Sequence, residues 1–263
     1  MEYNRNQPLK VITLCSGYDS QCLALERLKE NFPEFDYELV AWSEFDPESK
    51  TPLNKQPAVI AHNALFPQWA ERNLGDMTKV DWGEGKKLQC DLLFYSTPCQ
   101  SISQAGLQHG FTEGSGTRSS IIWNVRDAVI ALKPKFLCLE NVKAMVSGKF
   151  VGMFNLWQTE LFNLGYMNFA QVLNAKDYGI PQNRERIFLV SIRIDNTNDL
   201  PKYNFPKQIP LKRKLKDVLE PEVDEKYYLS EERVQELLLS SHEENEQEDS
   251  LNATDGFCLF NEQ

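Results

Sequence analysis

The residues with the most chemical promise are Cys99, Glu140 and the pair Arg184 and Arg186. Cys99 follows a proline in the polar stretch S-T-P-C-Q-S-I-S, outside any apolar run. A lone cysteine is often a small buried hydrophobe, but a core residue has little reason to stand there. A thiolate nucleophile needs such a partly exposed position, beside positive charge or hydrogen-bond donors. Glu140 closes the apolar run FLCL. An acid there is costly to bury without a partner, which suits a hydrogen-bonding or proton-handling group. Arg184 and Arg186 lie in Q-N-R-E-R, directly before IFLVSIR. Either they are solvated flanking charges, or they diverge, one toward a ligand and the other toward structure or phosphate. Residues 101–118 carry Gly106, Gly110, Gly114 and Gly116 with Arg118, a stretch suited to a closing lid.

These residues need elements to position them, and the apolar pattern supplies candidates. Strands are predicted over 10–15, 37–42, 91–95, 136–140, 168–173 and 187–193, with a weak one at 58–61. Several are unbroken apolar runs, as in strands covered on both faces. Helical spacing is clearest in 119–132, ended by Lys133-Pro134, and in 150–164, ended by Gly165. Alternating strands and helices predict an α/β protein with a doubly wound, mostly parallel sheet. Ligands of such sheets bind beyond the carboxyl ends of the strands. Polar residues stand at those ends: Ser16-Gly17-Tyr18-Asp19-Ser20, Ser43-Glu44-Phe45-Asp46, Ser96-Thr97-Pro98-Cys99-Gln100 and Glu140-Asn141-Val142. They are expected to converge on one rim. Glu44 there either accepts from ribose hydroxyls or is simply solvated. Gly17 alone does not make the G-x-G-x-x-G fingerprint, because Asp19 and Cys22 take the other two glycine places, and this disfavours a nicotinamide enzyme.

After Arg193 the pattern decays into a connection marked by Pro201, Pro206 and Pro210. The predicted organisation is a catalytic domain over 1–219 and an acidic C-terminal segment over 220–263, holding one helix near 230–240 capped by Ser230. The net charge of −10 resides in that segment: residues 220–249 alone carry twelve acids against Lys226 and Arg233. The remaining body, 1–219, stands at +2, so the global charge does not exclude a nucleic-acid partner. The six cysteines form no C-x-x-C pair, and no two of the three histidines are close, which argues against a metal site. No apolar run approaches the ~18 residues of a spanning helix, and the opening MEYNRNQPLK is no secretory signal. A cytosolic chain is expected.

Taken in order, these motifs resemble the cytosine-C5 DNA methyltransferase family. Pro98-Cys99-Gln100, Glu140-Asn141-Val142 and Gln182-x-Arg184-x-Arg186 are similar to its nucleophile, base-binding and arginine motifs. Gly75-Asp76-Met77-Thr78 and Ser43-Glu44-Phe45-Asp46 are similar to its adenine- and ribose-contacting motifs, and the likeness spans 10–219. The resemblance implies a Rossmann-like fold that binds S-adenosylmethionine, without a metal, and acts on DNA. It implies that Cys99 attacks C6 of a flipped cytosine, that Glu140 holds the N3 and N4 edge, and that Arg186 holds the O2 side with Arg184 supporting the loop. It assigns the ribose to Glu44, the adenine to Phe45 and Asp76 with Met77 alongside, and the methionine end to the turn Cys15-Ser16-Gly17-Tyr18, with Pro98 at the cleft.

Two departures stand out. The family usually has an aromatic residue and a second glycine where this chain has Cys15 and Asp19. Asp19 is expected to narrow the backbone approach to the cofactor. The segment 220–263 is expected to be only the start of an incomplete target-recognition region, without the last motif, so the chain resembles the larger subunit of a split enzyme or a truncated member. Such a chain is either a catalytic part completed by a second polypeptide that reads the DNA, or a silent remnant or regulatory module that binds S-adenosylmethionine or DNA.

Overall fold

Side-chain alternation along the first strand divides two hydrophobic cores. In β1 (Leu9–Leu14), Leu9 and Val11 face one core and Ile12 and Leu14 the other, all buried. The computed structural model describes residues 7–83, 88–99, 112–114, 116 and 118–239. The further strands are β2 (Tyr37–Ser43), β3 (Leu92–Tyr95), β4 (Phe136–Val142), β5 (Tyr166–Asn174) and β6 (Glu185–Arg193). They form one sheet in the order β2-β1-β3-β4-β6-β5. The first four run parallel, and β6 is antiparallel to both β4 and β5. Two reversals return β5 to the direction of β4, so the carboxyl ends of β1–β5 and the start of β6 share one edge.

Helices α1 (Ser20–Asn31) and α2 (Pro57–Leu65) contribute Cys22, Leu25 and Val59 to the core that holds Leu9, Val11 and Leu39. Helices α3 (Ile122–Leu132) and α4 (Val151–Asn163) contribute Val125, Val129, Phe154 and Leu161 to the core of Ile12, Leu14, Leu93 and Leu137. The result is the mostly parallel, helix-flanked α/β sheet expected from the pattern. The predicted ends of α3 and α4 also hold, with Lys133 (φ 48) and Gly165 (φ 89) in left-handed conformation immediately after them. The weak strand at 58–61 is overturned, because those residues lie within α2. Pro57 at the first helical position, after extended Gln56, opens a helix there, and four apolar residues cannot distinguish helix from strand by period.

By its internal contacts the chain divides between Arg213 and Lys214. In the second unit, residues 231–239 are helical, and the Ser230 hydroxyl accepts from the Arg233 N–H at 3.3 Å, the predicted N-cap. The glycine-rich stretch read as a lid lies for the most part outside the described residues, as do Gln100 and the final LNATDGFCLFNEQ.

Trp157 joins α4 to the sheet. It is fully buried, its indole N–H donates to the Tyr95 hydroxyl at 3.2 Å, and its ring stands edge-on to Trp123 at 5.5 Å. Burial also pushes the Tyr95 hydroxyl above its ordinary pKa. Trp157→Ala is expected to lower unfolding free energy by about 3–5 kcal/mol, through the cavity and the unpaired Tyr95 hydroxyl. A urea midpoint that stays unchanged would contradict this anchoring role.

Candidate active site

The candidate rim is built where β3 and β4 stop. Cys99 follows β3 by four residues, and Glu140 stands one position past Leu139, the register partner of Tyr95. Adjacent residues of β4 face opposite sides of the sheet. Asn141 is buried, and its side-chain amide donates to the Thr97 carbonyl at 2.9 Å. That bond ties the segment bearing Cys99 to the strand bearing Glu140. Cys99 itself is half-buried and packs against the larger core, while burial pushes the Cys22 and Cys90 thiols above their ordinary pKa.

Glu140 projects from the other face, where β6 meets it. In the antiparallel register Arg186 is opposite Val142 and Phe188 is opposite Glu140, so Arg186 reaches Glu140 diagonally. Arg186 Nε lies 3.0 Å from Glu140 Oε1, and Arg186 Nη1 donates to the Glu185 carbonyl at 2.8 Å. Burial raises the pKa of the Glu140 carboxyl, against the opposing pull of Arg186 and Arg184. The expectation that the two arginines diverge is therefore corrected. Residues two apart on an extended chain share a face, and both guanidinium charges act on Glu140.

A cleft of about 620 Å³ lies beside this rim. Cys15, Glu44, Phe45, Asp76, Met77 and Pro98 all line it, together with Gln56, Ser120, Ile121 and Asn124 from outside the motifs. Pro98 brings the cleft to the residue next to Cys99. Asp76 is drawn upward by burial, but the Thr78 hydroxyl and amide and the Lys79 ammonium hold it below its ordinary pKa. It stays an ionised acceptor at neutral pH. Lys79 also sits 5.8 Å from the Phe45 ring centroid, and Cys15 Sγ lies 3.6 Å from Met77 Sδ.

Ser16, Gly17 and Tyr18 form the turn after β1 and lie outside the cleft lining. Ser16 is buried, its N–H donating to the Ser43 carbonyl at 3.1 Å, and Tyr18 is exposed. The Gly17 N–H donates to Glu44 Oε2 at 2.6 Å, so the turn and the acid after β2 fix one another. Asp19 does not narrow the cleft as expected. It is fully buried at φ 67, accepts from the Thr13 hydroxyl at 2.7 Å, and stands 3.6 Å from Nε2 of buried His62. Two positioning residues carry no motif signal. Asn73 Oδ1 accepts from Glu44 N at 3.2 Å and Gly75 N at 2.9 Å, and the Gln56 amide bonds both the N–H and the carbonyl of Asp46.

The sequence profile of C-5 cytosine-specific DNA methylases matches residues 9–262. The chain belongs to that family. Among curated methylases, it is 43% identical over 164 residues to the type II methyltransferase M2.ScrFI of Lactococcus lactis subsp. cremoris, covering 62% of this chain and 44% of that one. It is 31% identical over 257 residues to the orphan methyltransferase M.Rho11sI of Bacillus phage rho11s, covering 88% and 47%. The chain thus spans about half the length of the curated methylases it matches. The crystal structure of S. pombe Dnmt2 methyltransferase shares the fold, with a TM-score of 0.59 at 20% identity over 86% of this chain and 64% of that one. Among the described residues no cluster of histidine, cysteine and acidic side chains is arranged to hold a metal ion, and no helix is long and apolar enough to cross a membrane.

The ion pair makes a directional prediction. Arg186→Ala removes the nearest charge that favours the Glu140 carboxylate, so the Glu140 pKa should rise further above its ordinary value. Carboxyl carbon NMR of the two proteins would show this, and an unchanged or lowered midpoint would contradict the pairing.

Proposed function

We propose that this chain is the catalytic part of a DNA (cytosine-5)-methyltransferase. The observation that carries this reading is the joined arrangement at the rim. Asn141 holds the Cys99 segment to β4 from one face, while Glu140 and Arg186 pair at 3.0 Å on the other.

The cleft suits S-adenosylmethionine. Phe45 offers a ring face for a purine, ionised Asp76 an acceptor for an amino group, and Glu44 a carboxylate for ribose hydroxyls. Cys15, Met77 and Pro98 supply an apolar wall beside them. The turn Ser16-Gly17-Tyr18, which Glu44 holds, would take the methionine end. When bound, this cofactor supplies a methyl group on a sulfonium, already activated for transfer to a carbon nucleophile.

The residues at the rim create that nucleophile on the base. Extrusion of the cytosine from the duplex exposes C6 to Cys99. The Cys99 thiolate forms a bond to C6, and its electron pair moves the ring's density onto C5 and toward N3. Glu140, whose burial favours the protonated carboxyl, donates at N3 and stabilises the charge that gathers there. Its other oxygen accepts from the exocyclic N4 amine. Arg186, with donors beyond its bond to Glu140, holds the O2 side, and Arg184 adds positive charge to the same edge. Once C5 carries the methyl group, the sulfonium having left as a neutral thioether, water takes the C5 proton, the restored double bond expels the Cys99 thiolate, and the N3 proton returns to Glu140.

Selection of the DNA sequence falls, in this reading, to a target-recognition part outside the residues that build the rim, carried by a second polypeptide or by further sequence of the same chain; the curated relatives are about twice as long. Labelled methyl transfer from S-adenosylmethionine to mixed-sequence DNA tests the assignment, with calorimetric cofactor binding alongside. Cys99→Ser is expected to abolish transfer while leaving cofactor affinity within about twofold of the parent. Equal loss of both would remove Cys99 from the nucleophile's role. No transfer by the parent, alone or with a recognition subunit, would favour a silent cofactor-binding module.

A further inference from the structure

The proline-marked connection after β6 is the most basic stretch of the chain. Residues 202–213 hold Lys202, Lys207, Lys212 and Arg213 and no carboxylate, in a chain whose net charge is −10. Other cations of the same region are neutralised locally. Lys135 and Arg193 pair with Asp195, Lys143 with Glu185, and Arg186 with Glu140. By contrast Lys207, Lys212 and Arg213 are exposed and pair with no carboxylate among the described residues.

The fold fixes where this stretch runs. Tyr203 packs against Phe169 of edge strand β5 at 5.9 Å and against Phe205 at 5.0 Å. Ile209 then forms a parallel bridge with Tyr178, its N–H donating to the Asp177 carbonyl at 2.9 Å. The Tyr178 hydroxyl donates to the Pro206 carbonyl at 3.1 Å, and the Gln208 amide to Asp177 Oδ2 at 3.2 Å. The seat is close: a Cβ on Gly179, at φ 81, would come within 3.3 Å of Ile209 Cδ1. Asp177, Tyr178 and Gly179 belong to the β5–β6 connection, which leads directly into Arg184 and Arg186. The basic strap is therefore seated on the same rim as Glu140 and Cys99, where a duplex must approach for a base to reach them.

We infer that the strap carrying Lys207, Lys212 and Arg213 is a phosphate-contacting surface for the DNA duplex at the catalytic rim. It holds the backbone without reading bases. Unpaired cations need no internal partner to be broken before binding, so each phosphate they neutralise releases counterions in full. The inference rests on DNA being the substrate, and it is tested by binding rather than by transfer.

The experiment is fluorescence anisotropy of a labelled duplex with the full chain at several salt concentrations. The parent is compared with the triple variant Lys207→Gln, Lys212→Gln, Arg213→Gln, and with the control Arg27→Gln, Lys29→Gln on α1. The triple variant is expected to bind at least about tenfold more weakly at 0.1 M salt, with a log K against log salt slope shallower by about 2 to 3. The control should keep the parent slope, and circular dichroism and calorimetric S-adenosylmethionine affinity should match for all three proteins. A triple variant with the parent slope would overturn the surface, as would a parent that does not bind the duplex at low salt. Loss of slope in a chain that transfers no methyl group would remove the proposed chemistry and leave the surface standing.

Discussion

The Asn141 amide donates to the Thr97 carbonyl inside the protein, and the geometry of the candidate rim depends on that bond. Thr97 is two residues before Cys99, in a segment that has left β3 and has no ladder partner there. A backbone carbonyl buried at such a point is costly without a donor. Asn141 supplies one from the neighbouring strand, and its own Oδ1 accepts from the Val142 N–H at 2.9 Å. Because residues alternate along β4, Asn141 can face inward only if Glu140 faces the opposite side. One side chain thus sets both the course of the segment that bears the sulfur and the direction of the carboxyl. The antiparallel entry of β6 then brings Arg186 to that carboxyl from a fixed register.

Glu140 is held between opposing influences. Burial favours its neutral form, and two arginines favour its charged form, with burial prevailing. The charge state of such a carboxyl depends on the neighbours that oppose its burial. In the proposed chemistry, a base that accepts from Glu140 and engages Arg186 would shift that balance further toward the neutral carboxyl.

Much of this was legible in the sequence. Unbroken apolar runs marked the parallel strands, and the polar tripeptides at their ends marked the rim. The cleft collects residues from four separate motifs because strand order places their ends together. What escaped is mostly physical in origin. Ala58–Ala61 is too short an apolar run for periodicity to separate helix from strand, and Pro57 decides it only in hindsight. Asn73 and Gln56 bond to backbone across the loops after β2, a role that any polar residue of the right length fills and that leaves no spacing pattern. For Arg184 and Arg186 the sequence leaves solvated or divergent charges open, whereas the two-residue period of an extended chain puts them on one side. Asp19 differs for another reason: a side chain in a glycine's place is expected to narrow the approach to the cofactor, whereas this one turns inward to Thr13.

That inward turn bears on the dynamics of the loop after β1. Cys15, Gly17 and Asp19 alternate at φ 53, 59 and 67, and two of the three carry a side chain in a conformation that glycine alone adopts freely. Such residues persist only where their surroundings over-determine them. Here the Thr13 hydroxyl grips the Asp19 carboxylate, the Asp19 N–H donates to the Ser16 carbonyl at 2.9 Å, and Glu44 takes the Gly17 N–H. The disorder of this loop is surrendered during folding, so a small molecule arriving at the cleft meets a shape already set. The turn after β1 itself then has no rearrangement to make on binding.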